Sequence, residues 1–374
     1  MDTYLFQQIL SAIAANQGSI SFADYMERAL YTPDLGYYSG DRQKFGAKGD
    51  FVTAPEISPL FSRCIARQYA EIAKDSPDAS ILEIGAGSGR MACDMLLALA
   101  KSHQLPAEYL ILEKSKSLQQ RQQQKLAQLC PQYQDRVRWI DTLPTAGFKG
   151  MIIANEVLDA MPVHRFQIRD HQAYELRVVE NEGQLKEKAF PWDHPCLKPF
   201  IAGAKSQHWP SPYSSEINLN IQAWMQDLSH CLTKGVILLI DYGFAASEYY
   251  HPDRSMGTLM CHHRHRSHSN PFMAPGLHDI TAHVDFSAVA EAAHIAGLEL
   301  LGYTHQAAFL LGCGIQDLQT PIDTDEKALI MQQQALQQLL SPTEMGELFK
   351  VISFGRGIDT PLMGFDWLDL QHKL

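Results

Sequence analysis

The sequence has no uninterrupted apolar run of about 18 residues, the length that a membrane-spanning helix needs. It also lacks an excess of basic side chains. The chain has 31 Lys and Arg and 42 Asp and Glu, which give a formal net charge of -11. That balance argues against a nonspecific nucleic-acid binder, whose affinity depends on basic contacts to phosphate. No Lys or Arg occurs in the first 20 residues, so we expect a structured helix there and not a secretory signal.

Paired cysteines are missing as well. The chain contains seven cysteines, which is an odd number, and no CxxC pair occurs among them. This scattered distribution favours reduced thiols and a cytoplasmic protein over a disulfide framework. With 374 residues, 45% of them hydrophobic, the chain is long enough for a sizeable core that carries extra segments, or for two closely associated lobes.

What is present is an alternation of short apolar runs with helical patterns from residue 80 onward. Strands are predicted at 81–84, 109–112, 137–140, 151–154 and 236–240, and helices at 91–99 and 118–129. This alternation is typical of an α/β protein with a Rossmann-like parallel sheet and crossover helices. Two extended runs, 298–303 and 307–311, predict a terminal antiparallel hairpin.

The other segments are arranged around this sheet. Residues 1–75 predict an N-terminal helical extension followed by a loop rich in Gly, Pro and aromatic residues, and loops of that length are usually functional or disordered. Residues 160–234 separate the fourth and fifth strands and are interpreted as an inserted lobe. The core then comprises 76–160 and 235–315, and a C-terminal helix and tail occupy 316–374.

A glycine-rich loop follows the first predicted strand. Gly85, Gly87 and Gly89 are spaced GxGxG, so the backbone can approach a ligand closely between a strand and a helix N-terminus. Glu83 precedes the loop, which suits a cationic amino-acid ligand better than a pyrophosphate. Arg90 stands where the dinucleotide fingerprint GxGxxG has its last glycine. The pattern favours a bound cofactor over a purely structural turn.

Acidic residues also follow the next two strands. Glu113 comes directly after the second strand, where a carboxylate accepts hydrogen bonds from ribose hydroxyls in dehydrogenases and methyltransferases alike. Asp141, after the third strand, could receive an adenine amino group. The alternatives are an ordinary exposed carboxylate for Glu113 and a helix or turn cap for Asp141.

Asn155, Glu156 and Asp159 follow the fourth strand. Ligands of open α/β sheets bind at the carboxyl ends of the central strands, so Glu156 and Asp159 are expected to point toward the reacting zone, with Asn155 at the cofactor. The two acids could bind a cationic acceptor or take its proton. The alternative is that they complement a helix N-terminus.

Five stretches, taken together, resemble a known family. They are residues 25–38, 49–58, 155–166 (NEVLDAMPVHRF), 240–243 (IDYG) and 279–286 (DITAHVDF). Running in this order along nearly the whole chain, they resemble the MidA-type methyltransferases, the family of the mitochondrial complex I assembly-factor protein arginine methyltransferase. The resemblance implies a class I methyltransferase fold, S-adenosyl-L-methionine as the donor and, for the mitochondrial members, a protein arginine acceptor.

The resemblance also implies further site residues. The family's loop before the core matches Asp50, Thr53, Pro55 and Glu56, which are expected to cover the methionine end of the donor. The commonest family form has a proline in the glycine loop where this chain has Ala86, a change that alters loop stiffness without removing binding.

His283 and Asp285, at alternate positions before a helix, could align the acceptor or orient a general base. The alternative is that Asp285 caps the helix and His283 packs. If the acceptor is a guanidinium, its pKa above 12 makes deprotonation the difficulty, and Glu156 and Asp159 would orient a nitrogen lone pair and accept the proton. The histidines at 261–268 alternate with arginines, so we expect a basic loop there and no metal.

Two rival functions stay open at this point. A dinucleotide-dependent oxidoreductase would share the sheet and the acid after the second strand, but Arg90 and the terminal hairpin count against it. A non-catalytic assembly factor with a vestigial donor pocket is the other. We expect a protein substrate, and the resemblance implies a respiratory-complex subunit as one candidate. We also expect that the chain could form a homodimer and that it binds no nucleic acid.

Overall fold

The computed structural model describes residues 3–40, 53–74, 76–206, 209–263, 266–319 and 326–374. Helices α1 (Thr3–Ala15) and α2 (Phe22–Tyr31) form the predicted N-terminal extension. Ser21 caps α2, because its hydroxyl oxygen accepts a hydrogen bond from the Asp24 N–H at 3.0 Å. Two further helices, α3 (Ala54–Ile57) and α4 (Pro59–Ala73), lead into the sheet.

The first half of the central sheet follows the predicted alternation. Its elements are β1 (Ser80–Ile84), α5 (Arg90–Lys101), β2 (Tyr109–Leu112), α6 (Lys116–Leu129), β3 (Val137–Ile140) and β4 (Phe148–Asn155). Neighbouring strands pair in parallel, β1 with both β2 and β4, and β2 with β3. Successive residues such as Ile81 and Leu82 are buried in different core clusters, as expected for strands covered on both faces.

The predicted insertion is a second, antiparallel sheet with its own helices. It contains β5 (His164–Arg169), β6 (Gln172–Asn181), β7 (Gln184–Pro191), α7 (Lys198–Ser206), β8 (Tyr213–Ile217) and α8 (Ile221–Cys231), with the strand order β7-β6-β5-β8. The amphipathic runs at 163–168 and 173–179 predict β5 and β6, and the helical pattern at 217–232 predicts a helix near α8. The sequence predicted neither β7, a largely exposed edge strand without alternating hydrophobicity, nor β8, which is short and rich in serine.

The chain then returns to the central sheet and adds its last three long strands, with a small third sheet between them in sequence. The remaining elements are β9 (Leu232–Phe244), α9 (Ala246–Tyr249), β10 (Met260–His263), β11 (Arg266–His268), β12 (Asp279–Thr281), β13 (Val284–Asp285), α10 (Phe286–Ile295), β14 (Glu299–His305), α11 (Gln306–Gly312), α12 (Glu326–Leu340) and β15 (Phe349–Arg356). The central order is β14-β15-β9-β4-β1-β2-β3, with β13 beside β9, and β11-β10-β12 form a small third sheet. The mainly parallel α/β sheet that the sequence predicts is confirmed.

The antiparallel edge is present, but the predicted position of its second strand was wrong. Residues 307–311 belong to α11, whereas β15 pairs antiparallel with both β14 and β9. A short apolar run such as AAFLL is equally compatible with a buried helix, and Phe309 and Leu310 are indeed fully buried there. The segment 316–374, interpreted as a tail, therefore contributes β15, which lies between β9 and the edge strand β14. In the described ranges no helix has the length and apolarity to cross a membrane.

Candidate active site

A cavity of about 1570 Å³ lies at the carboxyl ends of β1, β2, β3, β4 and β9. The N-terminal segment contributes Tyr31 and Tyr38 to its walls, and the small sheet contributes Met260 and Asp279. Pockets for single drug-sized ligands usually measure about 300–1,000 Å³. The cavity therefore has room for two reactants.

The glycine loop after β1 forms one wall, and its conformation requires glycine. Gly85, Gly87 and Gly89 have φ values of +66°, +52° and +80°, in the left-handed region. A Cβ on Gly85 would lie 3.0 Å from Val157 Cγ2, and one on Gly89 would lie 3.2 Å from Gln122. Gly85 and Gly87 line the cavity, while Gly89 lies behind them as the residue before α5.

Glu83 lies beneath this loop in a nearly closed environment. Its side chain is buried, and the Tyr109 hydroxyl donates a hydrogen bond of 2.6 Å to its Oε2 atom. Burial raises the pKa of Glu83 to about 7, against the effect of that hydrogen bond. A cation brought into the cavity next to Glu83 would favour its ionised form.

Glu113 is fixed by neighbours on α6. Its Oε1 accepts a hydrogen bond from the Ser115 N–H at 2.8 Å, and its Oε2 accepts one from Gln122 Nε2 at 3.2 Å. Gln122 Nε2 also donates to the carbonyl oxygen of Gly87 at 3.0 Å, so it connects the predicted ribose ligand to the glycine loop. Gln122 was not predicted, because nothing distinguishes it from the other glutamines of α6.

Asp141 lies on the exposed rim of the cavity. Lys116 Nζ is 3.1 Å from its Oδ1, and Gln119 Nε2 donates to the same oxygen at 3.2 Å. These hydrogen bonds hold the pKa of Asp141 below its usual value.

The loop after β4 carries the two predicted catalytic acids. Glu156 has a φ of +54°, which is unusual for a residue with a side chain, and its N–H donates to the Ile240 carbonyl at 2.9 Å. Its Oε1 accepts hydrogen bonds from Asn155 Nδ2 at 3.1 Å and from the Ala54 N–H at 3.3 Å. Burial, with a contribution from Asp159, raises the pKa of Glu156 to about 8.

Asp159 lines the cavity beside Glu156, and only one of its two carboxylate oxygens has a well-formed hydrogen bond in the described residues. The Tyr242 hydroxyl donates to its Oδ2 at 2.6 Å, whereas Oδ1 is buried without a hydrogen-bond partner of good geometry among the described residues. The Oδ1 atom of Asn155 is unpartnered in the same way. Burial raises the pKa of Asp159 to about 6, although the Tyr242 bond opposes that shift.

Asp241, which was not predicted as a site residue, holds this loop from below. It is fully buried at the end of β9, and its Oδ2 accepts hydrogen bonds from the N–H groups of Val157, Leu158 and Asp159 at 3.1, 2.9 and 3.2 Å. The signal that could have revealed it is the one used for Glu113, a carboxylate directly after a buried strand.

Of the pair after β12, the structure brings only His283 to the cavity. Its ring stacks on Phe244 with centroids 5.3 Å apart, and burial together with Arg254 lowers its pKa to about 4. His283 is therefore a neutral imidazole. Asp285 instead accepts hydrogen bonds from the N–H groups at the start of α10, at 3.1 Å each, and caps that helix, which is the alternative that the sequence left open.

The segment predicted to cover the donor is described from Thr53 onward. Thr53 and Pro55 line the cavity, and Glu56 accepts a hydrogen bond from the hydroxyl of Ser88 in the glycine loop. Asp50 lies outside the described residues. Among the described part of the 261–268 stretch, His262 lines the cavity, and no group of His, Cys, Asp and Glu in the described ranges has the arrangement of a metal site.

The chemistry of the cavity follows from these environments. Burial disfavours charge on carboxyl and imidazole groups alike, so it raises the pKa values of Glu156 and Asp159 and lowers that of His283. The usual order of basicity is thereby inverted, because the carboxylates become stronger bases than the imidazole. A proton released in this cavity would go to a carboxylate.

Comparisons with known proteins agree with this geometry. Residues 60–304 match the model of an S-adenosyl-L-methionine-dependent methyltransferase family. The chain is 30% identical to the mitochondrial protein arginine methyltransferase NDUFAF7 of Danio rerio, over 98% of this chain and 93% of that one. The Drosophila melanogaster homolog is 28% identical over 95% of this chain and 87% of its own.

A solved structure extends the similarity to a bound ligand. The crystal structure of a COG1565 superfamily member from Burkholderia thailandensis, bound to S-adenosyl-homocysteine, has 42% sequence identity and a TM-score of 0.94, covering 100% of this chain and 97% of that chain.

Proposed function

Because the chain belongs to the family of S-adenosyl-L-methionine-dependent methyltransferases, we propose that its acceptor is an arginine side chain of a protein. Several relatives carry the name protein arginine methyltransferase. The enzyme class and the donor follow from the family and from the ligand of the Burkholderia structure. The nature of the acceptor is the new element, and it is argued from the cavity.

The charge of the cavity carries the proposal. Among the described residues, its walls include nine Asp and Glu but three Lys and Arg. A guanidinium has five N–H donors and no acceptor, so it matches a wall of carboxylates. Tyr31 and Tyr38, with ring centroids 5.6 Å apart, add aromatic faces that attract a cation. Asp159 is buried in this wall, and a neutral or anionic acceptor would leave its carboxylate uncompensated.

The donor half of the cavity fits the adenosyl group. The open backbone at Gly85 and Gly87 and the fixed carboxylate of Glu113 are the groups that would hold it, with Asp141 at the predicted adenine position. The donor supplies a methyl group activated by a sulfonium. Every other requirement of the reaction falls on the side chains around the acceptor nitrogen.

Those side chains have to orient one nitrogen and accept one proton. As the bond from nitrogen to the methyl carbon forms, the bond from that carbon to the donor sulfur breaks, and an N–H bond of the acceptor breaks as well. Its proton passes to a carboxylate oxygen of Glu156, which lines the cavity beside Asp159. Burial alone raises the pKa of Glu156 to about 8, and a guanidinium next to it lowers that pKa again and favours the ionised form that accepts the proton. Asp159 then holds the remaining N–H groups.

The proposal is tested by identifying the methylated amino acid. The purified protein is incubated with methyl-labelled donor and host lysate, the labelled protein is hydrolysed, and the amino acids are separated. We expect label in methylarginine. Label in lysine, in a carboxyl ester or in a small molecule would overturn the proposal. The cytoplasmic location, the homodimer and the respiratory-complex acceptor stay predictions of the sequence.

A further inference from the structure

The loop from Glu156 to Asp159 is neither helix nor strand, yet it has to present two acids accurately. Its own sequence does not explain its shape, because it begins with a non-glycine residue in the left-handed region. Such a conformation persists where surrounding contacts impose it. The contacts come from two consecutive residues at the end of β9, Asp241 and Tyr242.

Asp241 fixes the backbone of the loop. One of its carboxylate oxygens accepts three successive N–H groups, those of Val157, Leu158 and Asp159, and the other accepts the N–H of Tyr242 at 2.9 Å. Each of these N–H groups would otherwise be buried without a partner, which is costly. The loop is therefore locked relative to β9 and to the floor of the cavity.

Tyr242 fixes the side chain of Asp159. Its hydroxyl donates the 2.6 Å bond to Oδ2, and its ring packs edge-on against His283 at 5.0 Å and against Phe349 at 5.5 Å. Because the ring is held on two sides, the position of the hydroxyl is defined. The bond commits Oδ2 of Asp159, whereas Oδ1 accepts no hydrogen bond of good geometry from the residues that the structure describes.

We infer that Asp241 and Tyr242 are positioning residues for methyl transfer, which hold the Asp159 carboxylate so that its free oxygen is available to a cationic acceptor. The inference rests on the proposed function for the identity of that acceptor. A residue that only stabilised the fold would have no need to leave a buried carboxylate oxygen uncommitted at the cavity wall.

The Tyr242 bond also affects the protonation of Asp159. It lowers the pKa of that carboxyl against the effect of burial, so its removal should raise the pKa of Asp159. The titratable groups around Asp159 are Glu156 on the same loop, Asp241 and Tyr242 on β9, Tyr31 and Tyr38 from the N-terminal segment, and Asp279 on β12. Among them, Tyr242 is the hydroxyl that contacts the carboxylate directly.

The test is the Tyr242→Phe variant, which removes the hydroxyl and keeps the ring. Its matched control is Tyr69→Phe, because Tyr69 is a buried tyrosine that loses one hydrogen bond, of 2.8 Å to the Ala79 carbonyl, in the core away from the cavity. In both variants we measure the calorimetric affinity for S-adenosyl-homocysteine, the pH profile of kcat with an arginine peptide, and the titration of the Asp159 carboxyl by carbon-13 NMR.

For Tyr242→Phe we expect an unchanged affinity for S-adenosyl-homocysteine and a kcat lower by about 10–100-fold. The low-pH limb of the kcat profile and the NMR midpoint of Asp159, assigned from an Asp159→Asn spectrum, should both move to higher pH. Tyr69→Phe should change none of these. An unmoved midpoint in Tyr242→Phe, or equal effects of the two variants on kcat, would overturn the inference.

The NMR titration separates this inference from the proposed function, since it is recorded with S-adenosyl-homocysteine alone. If the midpoint moves but the wild-type protein methylates no arginine, the arginine acceptor is overturned and the positioning of Asp159 stands. If arginine is methylated and the midpoint does not move, the arginine acceptor stands and the positioning of Asp159 by Tyr242 is overturned.

Discussion

The cavity has a donor half, around the glycine loop and Glu113, and an acceptor half, around Glu156 and Asp159, and the two halves hold their carboxylates in different ways. In the donor half, Glu83 and Glu113 accept hydrogen bonds from neighbouring side chains, and the turns are made by glycines. In the acceptor half, a glutamate occupies the left-handed position, and within the described part of the chain one oxygen of Asp159 has no hydrogen-bond partner of good geometry. The donor half is therefore preorganised for one constant ligand. The acceptor half retains a hydrogen-bond acceptor for a ligand that has many N–H donors.

The halves also differ in where their support comes from. The glycine loop and Glu113 are fixed by local elements, chiefly Gln122 of α6. The acceptor loop depends on distant parts of the chain, because Asp241 contacts Val157 across 84 residues of sequence and Ala54 contacts Glu156 across 102. Substitutions in the two halves should consequently have separable effects.

The largest expected effect is on catalysis from the acceptor half. Glu156→Gln removes the proton acceptor and retains the shape of the side chain, so methyl transfer should fall by about 100–10,000-fold. Donor affinity, measured by calorimetry, should be retained. The control is Glu291→Gln, an exposed glutamate on α10. Unchanged turnover in Glu156→Gln would remove Glu156 from the mechanism.

A smaller effect is expected from the donor half. Glu113→Ala removes the predicted ribose ligand, and the loss of charge-assisted hydrogen bonds should weaken binding of S-adenosyl-homocysteine by about 10–100-fold. At saturating donor, kcat should change little. Glu108→Ala is the matched control, since Glu108 is an exposed acid immediately before β2, at the opposite end of that strand. Equal affinities for the two variants would contradict the role of Glu113.

The contrast in backbone strain predicts that adding a side chain at Gly85 costs more stability than removing the side chain of Glu156. Gly85→Ala should lower the free energy of unfolding by about 1–2 kcal/mol, because a Cβ is disfavoured at its φ of +66°. Glu156→Gly relieves the strain at a φ of +54° but loses hydrogen bonds, so we expect a change of less than about 1 kcal/mol. Urea unfolding of both variants measures the difference, and a larger loss in Glu156→Gly would contradict this account.

A separate expected effect is the pH dependence of stability. The pKa of Glu156 is raised from 4.5 to about 8, so between these values the folded chain binds more protons than the unfolded chain. The free energy of unfolding should fall as pH rises through this interval. The decrease in Tm between pH 5 and pH 8 should therefore be shallower in Glu156→Gln than in the wild type. Parallel Tm curves would show that Glu156 is not buried as described.

Much of the donor half could be predicted from sequence because its signals are local. Strands β1 to β4 are short apolar runs, and Gly85 and Glu113 directly follow two of them. The acceptor half could be predicted only in part. Glu156 and Asp159 follow a strand, and so does Asp241, but the contacts that bring Asp241, Tyr242 and Tyr31 to these acids are tertiary, and no local pattern reports them. The wrong strand at 307–311 has a different origin, because a short apolar run fits a buried helix as well as a strand.

The most direct test of this division is a crystal structure of the protein with S-adenosyl-homocysteine and an arginine-containing peptide. We expect the ribose hydroxyls at Glu113, and guanidinium nitrogens about 3 Å from carboxylate oxygens of Glu156 and Asp159. A guanidinium bound elsewhere, with both acids turned away from it, would contradict the account.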